Sequence, residues 1–285
     1  MLLKFTRHLV KWVPDRAAIR IVRFLATRSQ RPSILPPQQE AMAKASVLHY
    51  GPDNQNVAWV WGDGPLVIFV HGWNGRAAQL APLASTIAEL GFKCVAIDVT
   101  GHGSSPQRHT DWEHFIVDIA ALTQSLHQEV YAYVGHSAGA LTMMAARGLK
   151  NIGASRYVCI CAPSHPFPPI EVIRKKLGPR NRVLELYKNY IAGQFNDTWE
   201  RLSTGRSFTN TGSDLLLFYD ESDRFVNHTE GDKIRSLCPG ARLIKTSVYG
   251  HMKILMAPEL TQAIGEFLNL ELRPHSAEFI PFQLT

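Results

Sequence analysis

Ser137 stands at the centre of Gly135-His136-Ser137-Ala138-Gly139, behind the β-branched and aromatic run 130–134 and ahead of a small-residue helical pattern over 140–146. A strand, a tight turn and a helix in that order lift a hydroxyl clear of a sheet edge. They also set it beside main-chain N–H groups at a helix start, which can hold a negative oxygen. The residues two places to either side must be small, because strand and helix nearly touch there, and Gly135 and Gly139 meet that demand. A serine hydroxyl is a poor nucleophile near neutral pH; it needs a base within hydrogen-bond reach, and the base needs a group that fixes its tautomer. Downstream, the run 214–219 gives out into Asp220, Glu221, Ser222 and Asp223, and a later strand-like run gives out into Gly250 and His251. Such a set can perform acyl transfer, although an acidic loop of this kind also reads as a solvated turn in which at most one carboxylate is used.

The elements that must position these groups follow from the apolar patterning. Residues 46–51 and 56–65 suggest two strands joined by a turn over Gly51, Pro52, Asp53 and Asn54. From Leu66 onward strands and helices alternate: strand 66–70, helix 77–90, strand 92–97, helix 112–126, the Ser137 elbow and strand 156–161. That alternation predicts an α/β fold with a mostly parallel sheet covered on both faces. The loops carrying Ser137, the acidic cluster and His251 then share the carboxyl edge of the sheet. After Ala162, Pro163, Pro166, Pro168 and Pro169 open a more polar stretch to about Thr211, with helices expected near 170–177 and 183–192. It reads as a small helical lid inserted over the strand ends, at about 163–211. Alternation resumes with strand 214–219, helix 230–237, strand 241–248 and helix 258–268, and 273–285 reads as a tail.

The 285 residues, 45% hydrophobic, suit one α/β domain with an insertion and exclude a disordered or membrane-embedded chain. Cys94, Cys159, Cys161 and Cys238 show no framework spacing and read as reduced interior residues, which favours a cytoplasmic setting. Cys159 and Cys161, two apart, would share one face of a strand. The net charge of +6 is unevenly placed: residues 1–31 hold eight basic residues and Asp15 alone among acids, leaving 22 basic against 23 acidic in the rest. A near-neutral body predicts no nucleic-acid partner and confines any basic function to the N-terminus. There the expected organisation is a basic amphipathic segment with a Pro-rich linker over 1–44, ahead of a catalytic-type domain over 45–285. Three readings of that segment stand: helices packed on the domain, a peripheral membrane contact through residues 1–28, or an organellar transit peptide. No apolar run there approaches the length that spans a bilayer, and the mixed charges do not fit a secretory signal.

Five motifs in order, HGWNG at 71–75, DVTGHGSS at 98–105, GHSAG at 135–139, DESDRFV at 220–226 and GHM at 250–252, make the chain resemble the α/β-hydrolase superfamily over about 46–269. The resemblance implies an eight-stranded-type sheet with a short lid, and assigns Ser137 as nucleophile and His251 as general base and acid. Asp223 is the implied orienting carboxylate, because the family's acid stands a few residues beyond the strand and just before an apolar pair such as Phe225-Val226; Asp220 is the fallback. His71-Gly72 matches the oxyanion loop, which implies the N–H groups of Trp73 and Ala138 as oxyanion donors and His71, Gly72, Trp73 and His136 around the substrate pocket. The Trp73 indole either packs under the insertion or walls the acyl pocket. His102 and His136 are structural in the family, with imidazoles bonded to backbone. The implied activity is cleavage of a carboxylic ester or thioester through an acyl-enzyme, on a small apolar ester-like substrate, with no cofactor and no metal. Carbon–carbon bond hydrolases and perhydrolases share the triad, and a small-molecule binding protein or receptor on the same fold is the alternative. Serine at the elbow argues against a haloalkane dehalogenase, which needs a carboxylate there.

Overall fold

The strand Leu66–Val70 is apolar at every position, and all five side chains are buried. Alternate residues of a strand point to opposite faces. Here both faces are covered: Leu66, Ile68 and Val70 enter one core cluster, Val67 and Phe69 another. This strand is β3 of an eight-stranded sheet ordered β1-β2-β4-β3-β5-β6-β7-β8. β1 (Ser46–Tyr50) and β2 (Asn56–Trp61) pair antiparallel, as β2 does with β4 (Lys93–Asp98). From β4 across β3, β5 (Val130–His136), β6 (Arg156–Ile160), β7 (Asp214–Asp220) and β8 (Arg242–Thr246), every pair is parallel. The chain steps from β3 outward to β4 and then returns to the other side of β3 as β5. That reversal opens a crevice at the carboxyl ends of β3 and β5, where α/β sheets place their ligands. The computed structural model describes residues 10–209, 211 and 214–269; the expected tail at 273–285 and most of the pattern over 1–13 lie outside them.

Helices close both faces. α1 (Asp15–Thr27), α4 (Trp112–Ser125), α5 (Ala138–Leu149), α6 (Phe167–Leu177), α7 (Asn181–Gln194) and α9 (Thr229–Leu237) contribute to the first cluster. α2 (Pro36–Ala43), α3 (Ala81–Glu89) and α11 (Pro258–Asn269) contribute to the second. α4 shows why these segments are helical. Asp111 caps its start by accepting from His114 N–H at 3.0 Å, and Phe115, Ile119 and Leu122 recur at helical spacing and are buried. Each such side chain removed from water stabilises the fold by about 1.5–3 kcal/mol.

Between β6 and β7 the helices expected near 170–177 and 183–192 form as α6 and α7, followed by α8 (Trp199–Ser203), which the patterning does not predict. The N-terminal segment packs on this insertion. Ala18 and Val22 of α1 are buried, Asp15 pairs with Arg180 at 2.8 Å and Arg182 at 3.4 Å, and the Arg23 guanidinium lies 3.7 Å from the centre of the Tyr190 ring. The Pro-rich linker is extended only as far as Leu35. Pro36 and Pro37 open α2 instead, because proline at the first helical turn fixes φ and lacks an N–H that would have no acceptor there anyway. Among the described residues no helix is long and apolar enough to cross a membrane.

Candidate active site

Ser137 lies between β5 and α5 with φ 53° and ψ −118°, a region that L-residues rarely adopt. Its N–H donates to Ile160 O at 2.8 Å, which ties the turn to the end of β6. The flanking glycines are required sterically. A Cβ on Gly135 would stand 2.5 Å from Ala140 Cα, and one on Gly139 would collide with the carbonyl oxygens of Val70 and His71. Ala138 is the first residue of α5, where an N–H has no intrahelical acceptor.

The loop after β3 passes directly over this turn. A Cβ on Gly72 would lie 3.1 Å from both Ser137 Cβ and His136 Nδ1, so a side chain there would crowd the turn. His71 fixes the loop: its Nδ1–H donates to Gly72 O at 2.8 Å, and its Nε2 accepts from Val99 N–H at 3.2 Å. That pattern requires a neutral ring, and burial lowers its pKa accordingly. His102 Nε2 accepts from Asn74 N–H at 3.1 Å, and burial holds it well below the usual histidine value. Asp98, at the end of β4, gathers Ala77 N–H, Ser104 N–H and the Trp59 indole N–H at 2.7, 2.9 and 3.2 Å. The Trp73 indole stacks on Phe115, with centroids 5.7 Å apart and planes 11° apart, and leans on Trp112, which meets Phe195 at the end of α7. Of its two expected placements, this is packing beneath the insertion. The Trp73 N–H makes no hydrogen bond among the described residues.

Two neighbouring carboxylates divide the work at the other end of the crevice. Asp220, 0% exposed, accepts from Ser222 and Gly250 N–H on Oδ1 (2.9 Å each) and from Thr246 Oγ1, Val248 N–H and Tyr249 N–H on Oδ2 (2.7–3.0 Å). Burial would raise its pKa, but these donors outweigh it and hold the group at about 2. Asp220 thus binds the end of β7 to the loop that leads into the short helix α10 (Gly250–Lys253). Asp223 does something different. Its Oδ1 accepts from Phe225 and Val226 N–H at 2.7 and 3.0 Å, which leaves Oδ2 for His251 Nδ1 at 2.6 Å. Against the effect of burial, the histidine and the two amides keep Asp223 below the usual carboxylate range.

His251 is held beside the elbow by the residue preceding the serine. His136 Nε2–H donates to His251 O at 2.9 Å, and the two rings are 4.7 Å apart. Burial, with the neighbouring His251, pushes the His136 pKa down to about 3, so the ring is a neutral spacer. His71 and His136, both expected around the pocket, are therefore buried with ring nitrogens engaged by main chain, whereas Gly72 lies against the Ser137 turn and the Trp73 indole packs beneath the insertion. Ser137 and His251 share no direct hydrogen bond; Asp220, Asp223 and His136 bring the imidazole to the serine's side.

Sequence patterning did not anticipate Cys161 here. β6 ends at Ile160, and Cys161 follows in a left-handed conformation, φ 47°, so it enters the second core cluster while Cys159 enters the first. The shared face expected for the two cysteines is lost because the strand stops between them. Cys161 Sγ, an Asp223 oxygen and a His251 nitrogen lie within 4.8 Å of one another. Those are metal-ligating atom types, but burial and then the Asp223 charge push the thiol pKa well up, and an ion would have to displace the 2.6 Å hydrogen bond.

A model of the alpha/beta hydrolase family matches residues 67–252, the span that carries all of these groups. Among curated proteins, a serine hydrolase-like protein of Dictyostelium discoideum is 24% identical over 71% of this chain and 59% of its own length. The 2-(acetamidomethylene)succinate hydrolase of Mesorhizobium japonicum is 36% identical over 47% of this chain and 50% of its own, and a non-heme chloroperoxidase of Streptomyces lividans is 36% identical over 46% and 48%. The matched part is thus about half, to three-fifths, of the length of these relatives. Of solved structures, ferulic-acid-bound Est1E from Butyrivibrio proteoclasticus superposes with a TM-score of 0.63 at 17% identity, covering 78% of this chain and 98% of that one. A bromoperoxidase from Bacillus anthracis gives 0.60 at 17% identity over 79% and 99%. At such identity these structures speak to the fold alone.

Proposed function

The chain belongs to the alpha/beta hydrolase family, and on that premise we propose that it is a serine hydrolase cleaving carboxylic ester or thioester bonds through an acyl-enzyme. The observation that carries this reading is the strained Ser137 elbow lying under the Gly72 loop, beside an imidazole whose Nδ1 is already committed to a buried carboxylate. Ser137 Oγ attacks the carbonyl carbon while His251 Nε2 takes its proton, a hydrogen bond of the kind that tightens in the reacting complex. Asp223 holds the ring in the tautomer with Nδ1–H and stabilises the imidazolium. The developing oxyanion faces the N–H groups of Trp73 and Ala138, and loss of one such donor typically costs about 10²–10³ in turnover. His251 then returns the proton to the leaving alcohol or thiol, and water repeats the sequence to release the acid.

An apolar acyl or alcohol group suits the rim. Phe225 is 65% exposed with its ring 5.3 Å from that of His251, and Val248 and Met252 are exposed on the segment after β8 that carries His251. The helical insertion, joined to Trp73 through Trp112 and Phe195, serves in this reading as the pocket's cover. Similarity to a chloroperoxidase and to a bifunctional esterase/perhydrolase of Acinetobacter calcoaceticus favours one second reading, in which hydrogen peroxide replaces water on the acyl-enzyme. A fluorophosphonate probe should label the protein, with labelling absent in Ser137→Ala, and a p-nitrophenyl ester series should be turned over. Folded protein that neither labels nor hydrolyses any ester would point to the binding-protein alternative. Peroxide-dependent consumption of the acyl-enzyme outpacing hydrolysis would select the perhydrolase reading.

A further inference from the structure

A second cavity of about 330 Å³ lies away from the serine, bounded by α1, the loop 107–111, the start of α4 and Tyr190 of α7. Its walls are rich in donors. Arg20 and Arg23 are three residues apart on α1 and line the same side, and His109 and Thr110 face them from the loop. Thr110 is 1% exposed, and its Oγ1 has no hydrogen-bond partner among the described residues. One carboxylate, Asp111, is present, but the His114 ring stands 2.8 Å from it and Tyr190 O–H reaches its other oxygen at 3.4 Å. Asp111 offsets one of the two guanidinium charges, and the lining stays net positive.

We infer that this cavity binds the phosphate group of a phosphate ester, with Arg20 and Arg23 of α1 on one side of the anion and His109 of the facing loop on the other. Guanidinium groups match phosphate oxygens in paired hydrogen bonds, and donors arriving from two walls suit a tetrahedral anion better than a planar carboxylate. The volume exceeds what phosphate alone fills and leaves room for the esterified group. Phe24, 59% exposed in the lining, supplies apolar surface for the remainder of a lipid, so the same chemistry could come from a lipid headgroup or from a soluble phosphate ester.

The test measures binding of inorganic phosphate and glycerol 3-phosphate by calorimetry. In parallel, the full chain is cosedimented with vesicles of phosphatidylcholine alone and of phosphatidylcholine with phosphatidic acid. Saturable binding of the soluble phosphates, weakened tenfold or more in Arg20→Gln, supports the site with a free phosphate ester as its source. Binding only to the phosphatidic acid vesicles, lost in Arg20→Gln, supports it with the headgroup as source. Arg20 is exposed, so the variant should fold, and undiminished fluorophosphonate labelling of Ser137 checks that it has. No binding in either arm, or equal binding by Arg20→Gln, overturns the inference.

Discussion

Two carboxylate–imidazole pairs of nearly equal length occur in this molecule, Asp223 with His251 at 2.6 Å and Asp111 with His114 at 2.8 Å. In the first, the side chains are 1% and 12% exposed and come from two different strand-end loops. In the second they are 21% and 41% exposed and come from one helix start, three residues apart. Asp223 has one oxygen saturated by main-chain amides, so the other is reserved for the ring. Asp111 spends its capacity on capping α4 and reaching Tyr190. On the proposed reading, a close pair serves catalysis only where the fold brings it to the serine and excludes competing partners. The largest test of that difference is Asp223→Asn, which should lower ester turnover by about 10⁴ with little change in unfolding, since the orienting acid supplies the tautomer. Asp111→Asn should leave turnover within a factor of about two, as half-exposed pairs contribute at most about 1 kcal/mol. Equal losses in the two variants would erase the distinction.

Asp220 sharpens it from the other side. Removing its charge leaves five donors competing for a single amide oxygen, so Asp220→Asn should cost on the order of 3 kcal/mol in urea unfolding. Activity should fall along with the population of correctly placed His251. A variant as stable as the parent but 10⁴-fold slower would instead make Asp220 the orienting acid.

This division between adjacent carboxylates marks where sequence stops being informative. The alternation of apolar strands with helical patterns, the elbow glycines and the order of serine, acid and histidine are all local signals, and the sheet, α6 and α7 follow from them. Composition alone does not separate Asp220 from Asp223, three residues apart at the end of one strand; only the resemblance, through the Phe225-Val226 pair, favours Asp223. The difference lies in which donors of residues 246–250, the Thr246 hydroxyl and three amides 26 to 30 positions later, reach back. Cys161 escaped notice for the same reason, its place being set by a strand ending one residue early. α2 was missed because Pro36-Pro37 reads as a breaker in composition and as a helix start only once Trp61 Nε1–H finds Ala41 O across the domain. The packing of α1 on the insertion rests on Asp15 meeting arginines 165 and more residues away, which no window of sequence reveals.

The buried groups of the site also predict a direction for acid loss. His136 is held at about 3; the unfolded chain therefore takes up a proton near the ordinary value of about 6.5 that the folded chain refuses. Stability from this group is complete above about pH 6.5 and falls on acidification toward 3, by about 1.4 kcal/mol per pH unit at most. Asp220 and Asp223, both depressed, add to the loss only below about pH 4. Urea midpoints measured from pH 7 to 4 should decline in the parent, and His136→Gln should flatten the upper part of that decline. An unchanged slope in the variant would mean that His136 titrates normally in the fold.

His114 should behave in the opposite sense and weakly. The Asp111 carboxylate 2.8 Å from its ring raises its pKa, with burial opposing, so the folded chain binds the proton more tightly than the unfolded one. The resulting stability is fully present below about pH 6.5 and disappears as pH rises through the raised value. Because the ring is 41% exposed, solvent screens the pair and the contribution stays below about 1 kcal/mol. The difference in unfolding free energy between parent and His114→Gln should therefore be small at pH 5.5 and smaller still at pH 8.5, with turnover unaffected at either. A difference that grew with pH would show that His114 is held neutral, as His136 is, and the two halves of the comparison would then differ only in position and not in electrostatics.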